Sequence, residues 1–111
     1  MMHRGSKYWI WADCELHCWS HNERMSEGTI VDIQARVSRK GETQVFIGVY
    51  DKSGWLVLEE SHDYLPNHEV ATALSWGVSR ARAIAAGNLV MNAQAAVDYF
   101  AYSDFQRTSA P

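Results

Sequence analysis

Residues 29–60, TIVDIQARVSRKGETQVFIGVYDKSGWLVLEE, decide the fold of this chain of 111 residues. The stretch contains runs in which apolar and polar residues alternate, as they do in strands that bury one face. Two short polar turns that contain glycine, at residues 39–42 and 51–54, separate the runs. The sequence therefore predicts a three-stranded antiparallel β-meander, with strands at residues 29–38, 43–50 and 55–60.

A long helix is predicted after the meander. Pro66 interrupts the extended chain, Asn67 is a favourable N-cap residue, and Glu69 places a negative charge in the first turn. Apolar residues then recur at spacings of three and four and form one apolar face: Val70, Ala73, Leu74, Gly77, Val78, Ala81, Ile84 and Ala85. Gly87 and Asn88 end the pattern. The prediction is an α+β fold with a β-β-β-α core, in which one long helix packs on one face of the meander.

The opposite face of the meander is predicted to carry too many large apolar side chains for a solvated surface: Ile30, Phe46, Tyr50, Leu56 and Leu58. We expect this face to be covered by residues 1–24, by a short C-terminal helix over residues 93–103, or by a second copy of the chain. The sequence does not decide among these three alternatives. Tryptophan is favoured at protein interfaces, and Trp76 lies midway along the long helix. A homodimer, or a contact with another protein, is therefore expected, with these interface candidates: Phe46, Tyr50, Leu56, Leu58 and Trp76.

Residues 1–24 differ in composition from the rest of the chain. They hold both cysteines, three of the five histidines and three of the five tryptophans. The aromatic and β-branched residues 8–11 favour a strand over residues 7–19, whereas Asp13 is able to cap a helix over residues 14–25. Residues 25–28, MSEG, read as a natural start. This gives the hypothesis that residues 1–24 are an upstream extension of one α+β domain, residues 25–111.

Residues 1–24 also contain four possible metal ligands: Cys14, His17, Cys18 and His21. Thiolate and imidazole are the ligands that zinc prefers. Structural zinc sites usually join two short ligand clusters across a longer loop, but these four residues form one short run. On a helix the four would share one face, whereas on a strand Cys14 and Cys18 would lie about 13 Å apart. Zinc binding is therefore an alternative hypothesis, and no other cofactor is predicted.

Basic residues concentrate at the first hairpin and on the long helix: Arg36, Arg39, Lys40, Arg80 and Arg82. The β-β-β-α order is similar to that of double-stranded-RNA-binding domains, a resemblance of topology alone. Those domains carry a lysine-rich signature at the start of the last helix, where residues 67–71 of this chain read NHEVA. A net charge of −3 adds no overall attraction to nucleic acid. Nucleic-acid binding is therefore the weaker alternative.

The composition is that of a globular protein, with 47% hydrophobic and 21% charged residues. The apolar residues 8–12 are too few for a signal peptide, and no run has transmembrane length, so a cytoplasmic protein is expected. The acidic and histidine residues at 59–63 end a strand and are expected to be solvated, and no phosphate-binding loop or catalytic motif occurs. The leading hypothesis is a non-enzymatic binding or regulatory protein that acts through protein–protein contact.

Overall fold

Two helices and four strands follow one another in the computed structural model, which describes residues 2–87. The elements are α1 (Ser6–Trp11), β1 (Trp19–Arg24), β2 (Ile30–Val37), β3 (Thr43–Tyr50), β4 (Leu56–His62) and α2 (Val70–Ala85). The predicted α+β class is confirmed. The helix predicted at residues 93–103 lies outside the described residues.

The sheet has four antiparallel strands in the order β1-β2-β3-β4, so the prediction of three strands is wrong. The additional strand, β1, pairs with β2 from Trp19 opposite Ala35 to Arg24 opposite Ile30. Its sequence, WSHNER, lacks the alternation of a half-buried strand, and its side chains are exposed or half-buried. The strand therefore forms because β2 offers it an edge, and its own sequence pattern does not reveal it.

The region before β1 also differs from its prediction. Residues 6–11 are helical and do not form the strand expected over residues 7–19, and the alternative helix over residues 14–25 is wrong as well. Aromatic residues favour strands on average, but in α1 they are spaced so that Tyr8 and Trp11 both contact the sheet. Tertiary packing thus outweighs local propensity here.

Helix α2 covers the face of the sheet that holds the main apolar core. Its buried residues Ala73, Gly77, Ala81 and Ile84 pack against valines and isoleucines of β2 and β3. The approach is close, because a Cβ atom added to Gly77 would lie 2.7 Å from the side chain of Ile33. The helix begins at Val70 after Glu69 as N-cap.

Asn67 is not the N-cap residue that the sequence predicts, because the backbone needs it for a turn. Its φ angle is 65°, in the left-handed region that asparagine tolerates better than most residues. The capping position falls two residues later.

Two similar side-chain clusters hold the edges of the sheet to α2. On β4, Glu60 accepts hydrogen bonds from Arg80 of α2 and contacts the ring of His62 at 2.7 Å. On β1, Glu23 contacts His21 at 2.7 Å and accepts from Arg82 of α2 at 2.8 and 3.1 Å. The clusters differ in burial, since Glu60 is 3% exposed whereas Glu23 is half-buried.

Stability is expected to fall in acid because of Glu60. Burial alone would raise the pKa of Glu60, but hydrogen bonds from His62 and Arg80 outweigh burial and hold it below the ordinary value of 4.5. As the pH falls below 4.5, the unfolded chain takes up the proton first, and this contribution to the free energy of unfolding is lost. Urea unfolding from neutral pH down to about 3 tests this expectation.

The variant Glu60→Gln provides the control for the acid effect, because glutamine resembles a protonated glutamate at every pH. The difference in unfolding free energy between the natural chain and the variant should be largest at neutral pH and should narrow below 4.5. Parallel pH profiles for the two proteins would show that Glu60 is not the group responsible.

Candidate interaction site

Helix α1 lies on the face of the sheet opposite α2. The ring of Phe46 on β3 contacts Tyr8 at 5.2 Å and Trp11 at 5.6 Å between ring centroids. Phe46 and Tyr50 are both 0% exposed. Of the three covers that the sequence leaves open, the N-terminal segment covers these two residues in this structure. We refer to residues 3–11 as the N-terminal segment and to the surface beneath it as the second face.

Glu59 on β4 fixes the start of α1. Its carboxylate accepts hydrogen bonds from the backbone N–H of Gly5 at 2.8 Å and of Tyr8 at 3.2 Å, and from the hydroxyl of Tyr50 at 2.8 Å. Backbone N–H groups at a helix start have no partner within the helix, so a carboxylate there is favourable. The glutamate is 5% exposed and thus acts as a buried cap supplied by the sheet.

Asp32 on β2 binds the arginine that precedes α1. The guanidinium of Arg4 donates to Asp32 Oδ2 at 2.6 Å and to the Tyr50 hydroxyl at 3.3 Å. The side-chain amides of Asn22 and Gln34 also donate to Asp32, at 3.2 and 3.1 Å. Asp32 is 3% exposed, and a buried carboxylate of this kind is tolerated only with a cation and further donors. Arg4, Asn22 and Gln34 together give both carboxylate oxygens of Asp32 a partner.

Tyr50 lies between the two carboxylates and links them. Burial raises the pKa of Tyr50 above its ordinary value; Arg4 lowers it and Glu59 raises it further. The hydroxyl consequently stays protonated and serves as the donor to Glu59. Gly48 leaves room for this ring, because a Cβ atom at that position would lie 2.6 Å from the Tyr50 oxygen.

Arg36 on β2 holds the other end of the segment. Its guanidinium lies 3.7 Å from the centre of the Trp11 ring and donates to the Trp11 carbonyl oxygen at 2.7 Å. Its Nε donates to the side-chain oxygen of Gln44 at 2.8 Å. The last residue of α1 is therefore bound through both its ring and its backbone.

Large apolar side chains are exposed on the solvent side of α1, directly before β4 and at the start of β4. We call this set the apolar surface; its members, with their exposed fractions, are Trp9 (66%), Ile10 (83%), Trp55 (59%), Leu56 (46%) and Val57 (54%). The two elements contact each other, and the ring of Trp55 stacks on His3 at 4.0 Å. The N-terminal segment thus contributes both a buried side, bound by the sheet, and an exposed apolar side.

The predicted interface residues occupy different environments. Phe46 and Tyr50 are buried beneath the segment, and Leu56 is exposed. Leu58 packs against the core beneath α2 and not on the second face, because an irregularity opposite residues 49 and 50 reverses the alternation between Leu56 and Leu58. Trp76 is half-buried on α2, where the ring of His62 meets it edge-on at 5.0 Å.

The four predicted metal ligands lie in separate settings. Cys14 and His17 are exposed in the loop after α1, Cys18 is half-buried at its end, and His21 on β1 contacts Glu23. Burial raises the pKa of the Cys18 thiol. Among residues 2–87, no group of three or more histidine, cysteine or acidic side chains is arranged to hold a metal ion.

The predicted basic residues mostly contact groups of their own chain. Arg36 binds Trp11, Arg39 contacts the carboxylates of Asp13 and Glu15, and the two arginines of α2 contact Glu60 and Glu23. Lys40 is exposed in the turn between β2 and β3. The structure thus places Arg39 and Lys40 together at one hairpin and places Arg80 and Arg82 on α2.

Comparisons with known proteins identify no relative: no family model, no curated protein and no solved structure matches this chain. The fold and the site define the class of this chain as a small α+β domain whose N-terminal segment is bound to the second face of its sheet. Within residues 2–87 no helix is long and apolar enough to cross a membrane.

Proposed function

We propose that this protein is a non-enzymatic binding or regulatory module that acts through protein–protein contact, and that its apolar surface binds a second copy of the chain. The observation that carries the proposal is the exposure of two tryptophans and three aliphatic side chains on α1, on β4, which contacts α1, and directly before β4, where Trp55 stacks on His3. Tryptophan is enriched among the residues that dominate binding energy at interfaces. A cytoplasmic location remains a prediction.

The size of the apolar surface supports this role. Five large side chains at the observed exposures present on the order of 500 Å² in all. The largest apolar patch on a typical monomer is about 300–600 Å² and often marks a binding site. A standard interface buries about 800 Å² on each partner, so the apolar surface with a polar rim accounts for one side of a symmetric dimer.

In the proposed dimer, the two copies are expected to meet through side-chain packing and not through pairing of their β4 edges. The pairing of β4 with β3 is irregular at residues 49 and 50, near the start of β4, and such irregularities discourage edge-to-edge pairing. The second half of β4 carries Glu59, Glu60 and His62, and charge has the same effect. The proposed dimer therefore places the apolar surfaces of two copies face to face.

A binding role is also favoured over catalysis because the carboxylates on the second face are buried and already hydrogen-bonded. Asp32 and Glu59 are 3% and 5% exposed, and their oxygens accept hydrogen bonds from the same chain. Buried carboxylates arranged in this way position a segment of the chain. In this arrangement they are enclosed, and a substrate would first have to displace the N-terminal segment.

The proposal is tested by measuring self-association of the full chain and of the variants Trp9→Ser and Trp55→Ser by sedimentation equilibrium. We expect the natural chain to form dimers and each variant to raise the dimer dissociation constant by roughly tenfold or more. Tyr64→Ser is the matched control. Tyr64 is also 59% exposed, but it lies just before Leu65, which is bonded to Thr43 at the other end of the sheet.

Two results would contradict the proposal. One is a natural chain that stays monomeric at every concentration reached. The other is a dimer whose dissociation constant responds to Tyr64→Ser as strongly as to the two tryptophan variants.

A further inference from the structure

The N-terminal segment is bound to the second face like a separate ligand. Besides the ring contacts of Tyr8 and Trp11 with Phe46, it makes specific polar interactions: Arg4 with Asp32, two backbone N–H groups with Glu59, and the Trp11 carbonyl with Arg36. Each of these partners would be equally well satisfied by the same segment of another molecule. Because Asp32 and Glu59 are buried on a face shared with Phe46, the face requires an occupant with this chemistry.

The linker between the segment and the sheet is longer than its own path requires. Trp11 accepts a hydrogen bond from Arg36, and Trp19 pairs with Ala35, so the two residues that flank the linker, residues 12–18, contact consecutive residues of β2. When extended, a linker of this length reaches about 23 Å. The linker is therefore long enough to let the segment reach a neighbouring molecule.

The linker is held in place mainly by exposed interactions. Asp13 and Glu15 contact Arg39 on the hairpin between β2 and β3, and the Arg39 side chain is 58% exposed. Exposed ion pairs of this kind contribute little to stability. Opening the linker is consequently a small change compared with removing the segment from its buried carboxylates.

We propose that the N-terminal segment is exchanged between two copies, so that residues 3–11 of each molecule occupy the second face of the other. This inference rests on the proposed function and specifies how the dimer is built. Exchange keeps every buried contact of the segment, so Trp9 and Ile10 remain part of the apolar surface through which the two copies are proposed to meet.

A charge-swap experiment on full chains tests the exchange. Arg4→Asp gives a segment that is mismatched to its own face, and Asp32→Arg gives a face that is mismatched to its own segment. When the two variants are unfolded and refolded together, an exchanged heterodimer pairs opposite charges on both of its second faces. On one face the two substituted side chains meet, and on the other face the natural Arg4 meets the natural Asp32. The double variant Arg4→Asp/Asp32→Arg is the control in which the pair is matched within one chain as well.

The expected result is that the mixture forms heterodimer, seen by native mass spectrometry, at least tenfold in excess of either homodimer. The melting temperature of the heterodimer should be higher than that of either variant alone and should approach that of the double variant. If a single variant does not fold alone, the rescue by mixing becomes easier to see. The exchange would be overturned if the mixture showed only the species and melting temperatures of the two separate variants, while the double variant regained the melting temperature of the natural chain.

A second measurement does not depend on the substitutions. Natural chains labelled with ¹³C are refolded together with unlabelled chains, and isotope-filtered NOE spectra are recorded between the Tyr8 and Phe46 rings. If the segment is exchanged, the Tyr8–Phe46 NOE is observed between labelled and unlabelled molecules. An NOE that is observed only within single molecules would overturn the inference. A dimer without intermolecular Tyr8–Phe46 contact leaves the proposed function standing, while a natural chain that is only monomeric contradicts both proposals.

Discussion

A chain that begins at Met25 is expected to be unfolded or aggregated. The deletion of residues 1–24 removes β1 and exposes the edge of β2, and it removes the N-terminal segment from the second face. Phe46 and Tyr50 would then be exposed, at a cost of about 1.5–3 kcal/mol each, and Asp32 and Glu59 would lose their partners in the segment. Since a domain of this kind is stable by only about 5–15 kcal/mol, the combined loss should exceed what it tolerates.

The measurement for this deletion is circular dichroism together with dye binding to exposed apolar surface. A chain that begins at Ala12 is the matched control, because it lacks α1 but keeps β1. We expect this control to retain β-sheet signal while binding more dye than the full chain. A folded protein that begins at Met25 and binds no more dye than the full chain would contradict this expectation and would show that residues 1–24 are not needed for folding.

The substitution Glu60→Leu is expected to lower the free energy of unfolding by about 3–5 kcal/mol. The side chains of Glu60 and Arg80 are 4% and 12% exposed, so the variant would take the carboxylate from a guanidinium that stays largely buried. Chemical denaturation measures the change. The double variant Glu60→Leu/Arg80→Leu should recover much of the loss, because buried apolar pairs replace buried ion pairs with little cost.

The second His–Glu–Arg cluster provides the control for Glu60. Glu23 has the same types of partner, His21 and Arg82, but the Arg82 side chain is 52% exposed. These partners lower the pKa of Glu23 to about 2, yet solvent screens such exposed pairs. Glu23→Leu should therefore be much less destabilising than Glu60→Leu. Equal losses for the two variants would show that burial is not the cause.

The parts of the fold that the sequence predicts correctly are those with a local pattern. Alternation predicts the strands β2 and β3, and helical spacing predicts α2, because each pattern reflects one buried face of one element. Strand β1 has no such pattern, and its existence depends on the free edge of β2. The sequence pattern assigns Leu58 to the wrong face because an irregular pairing between strands leaves no trace in the sequence of either strand.

The polar contacts of the candidate site escape the sequence pattern for a different reason. Alternation alone makes Asp32 a polar residue of a half-buried strand, and its position at a strand end makes Glu59 a solvated acid. Yet Asp32 alternates on the same side as Ile30, on the face where Phe46 and Tyr50 are predicted to need a cover. A carboxylate on a covered face needs a cation or several hydrogen-bond donors, as Asp32 and Glu59 show. That requirement is the signal in the sequence that predicts a polar partner for Asp32, and the structure shows that Arg4, Asn22 and Gln34 supply it.

The binding of the N-terminal segment to the second face depends most on Glu59, which bonds two backbone amides of the segment. Hydrogen exchange at the backbone amides of Gly5 and Tyr8, followed by NMR in the full chain, tests this binding directly. Both amides are expected to exchange far more slowly than in an unfolded peptide, and Glu59→Leu should remove the protection of both while the amides of β2 and β3 stay protected. Exchange of Gly5 and Tyr8 at unfolded rates in the natural chain, with β2 and β3 protected, would contradict this binding.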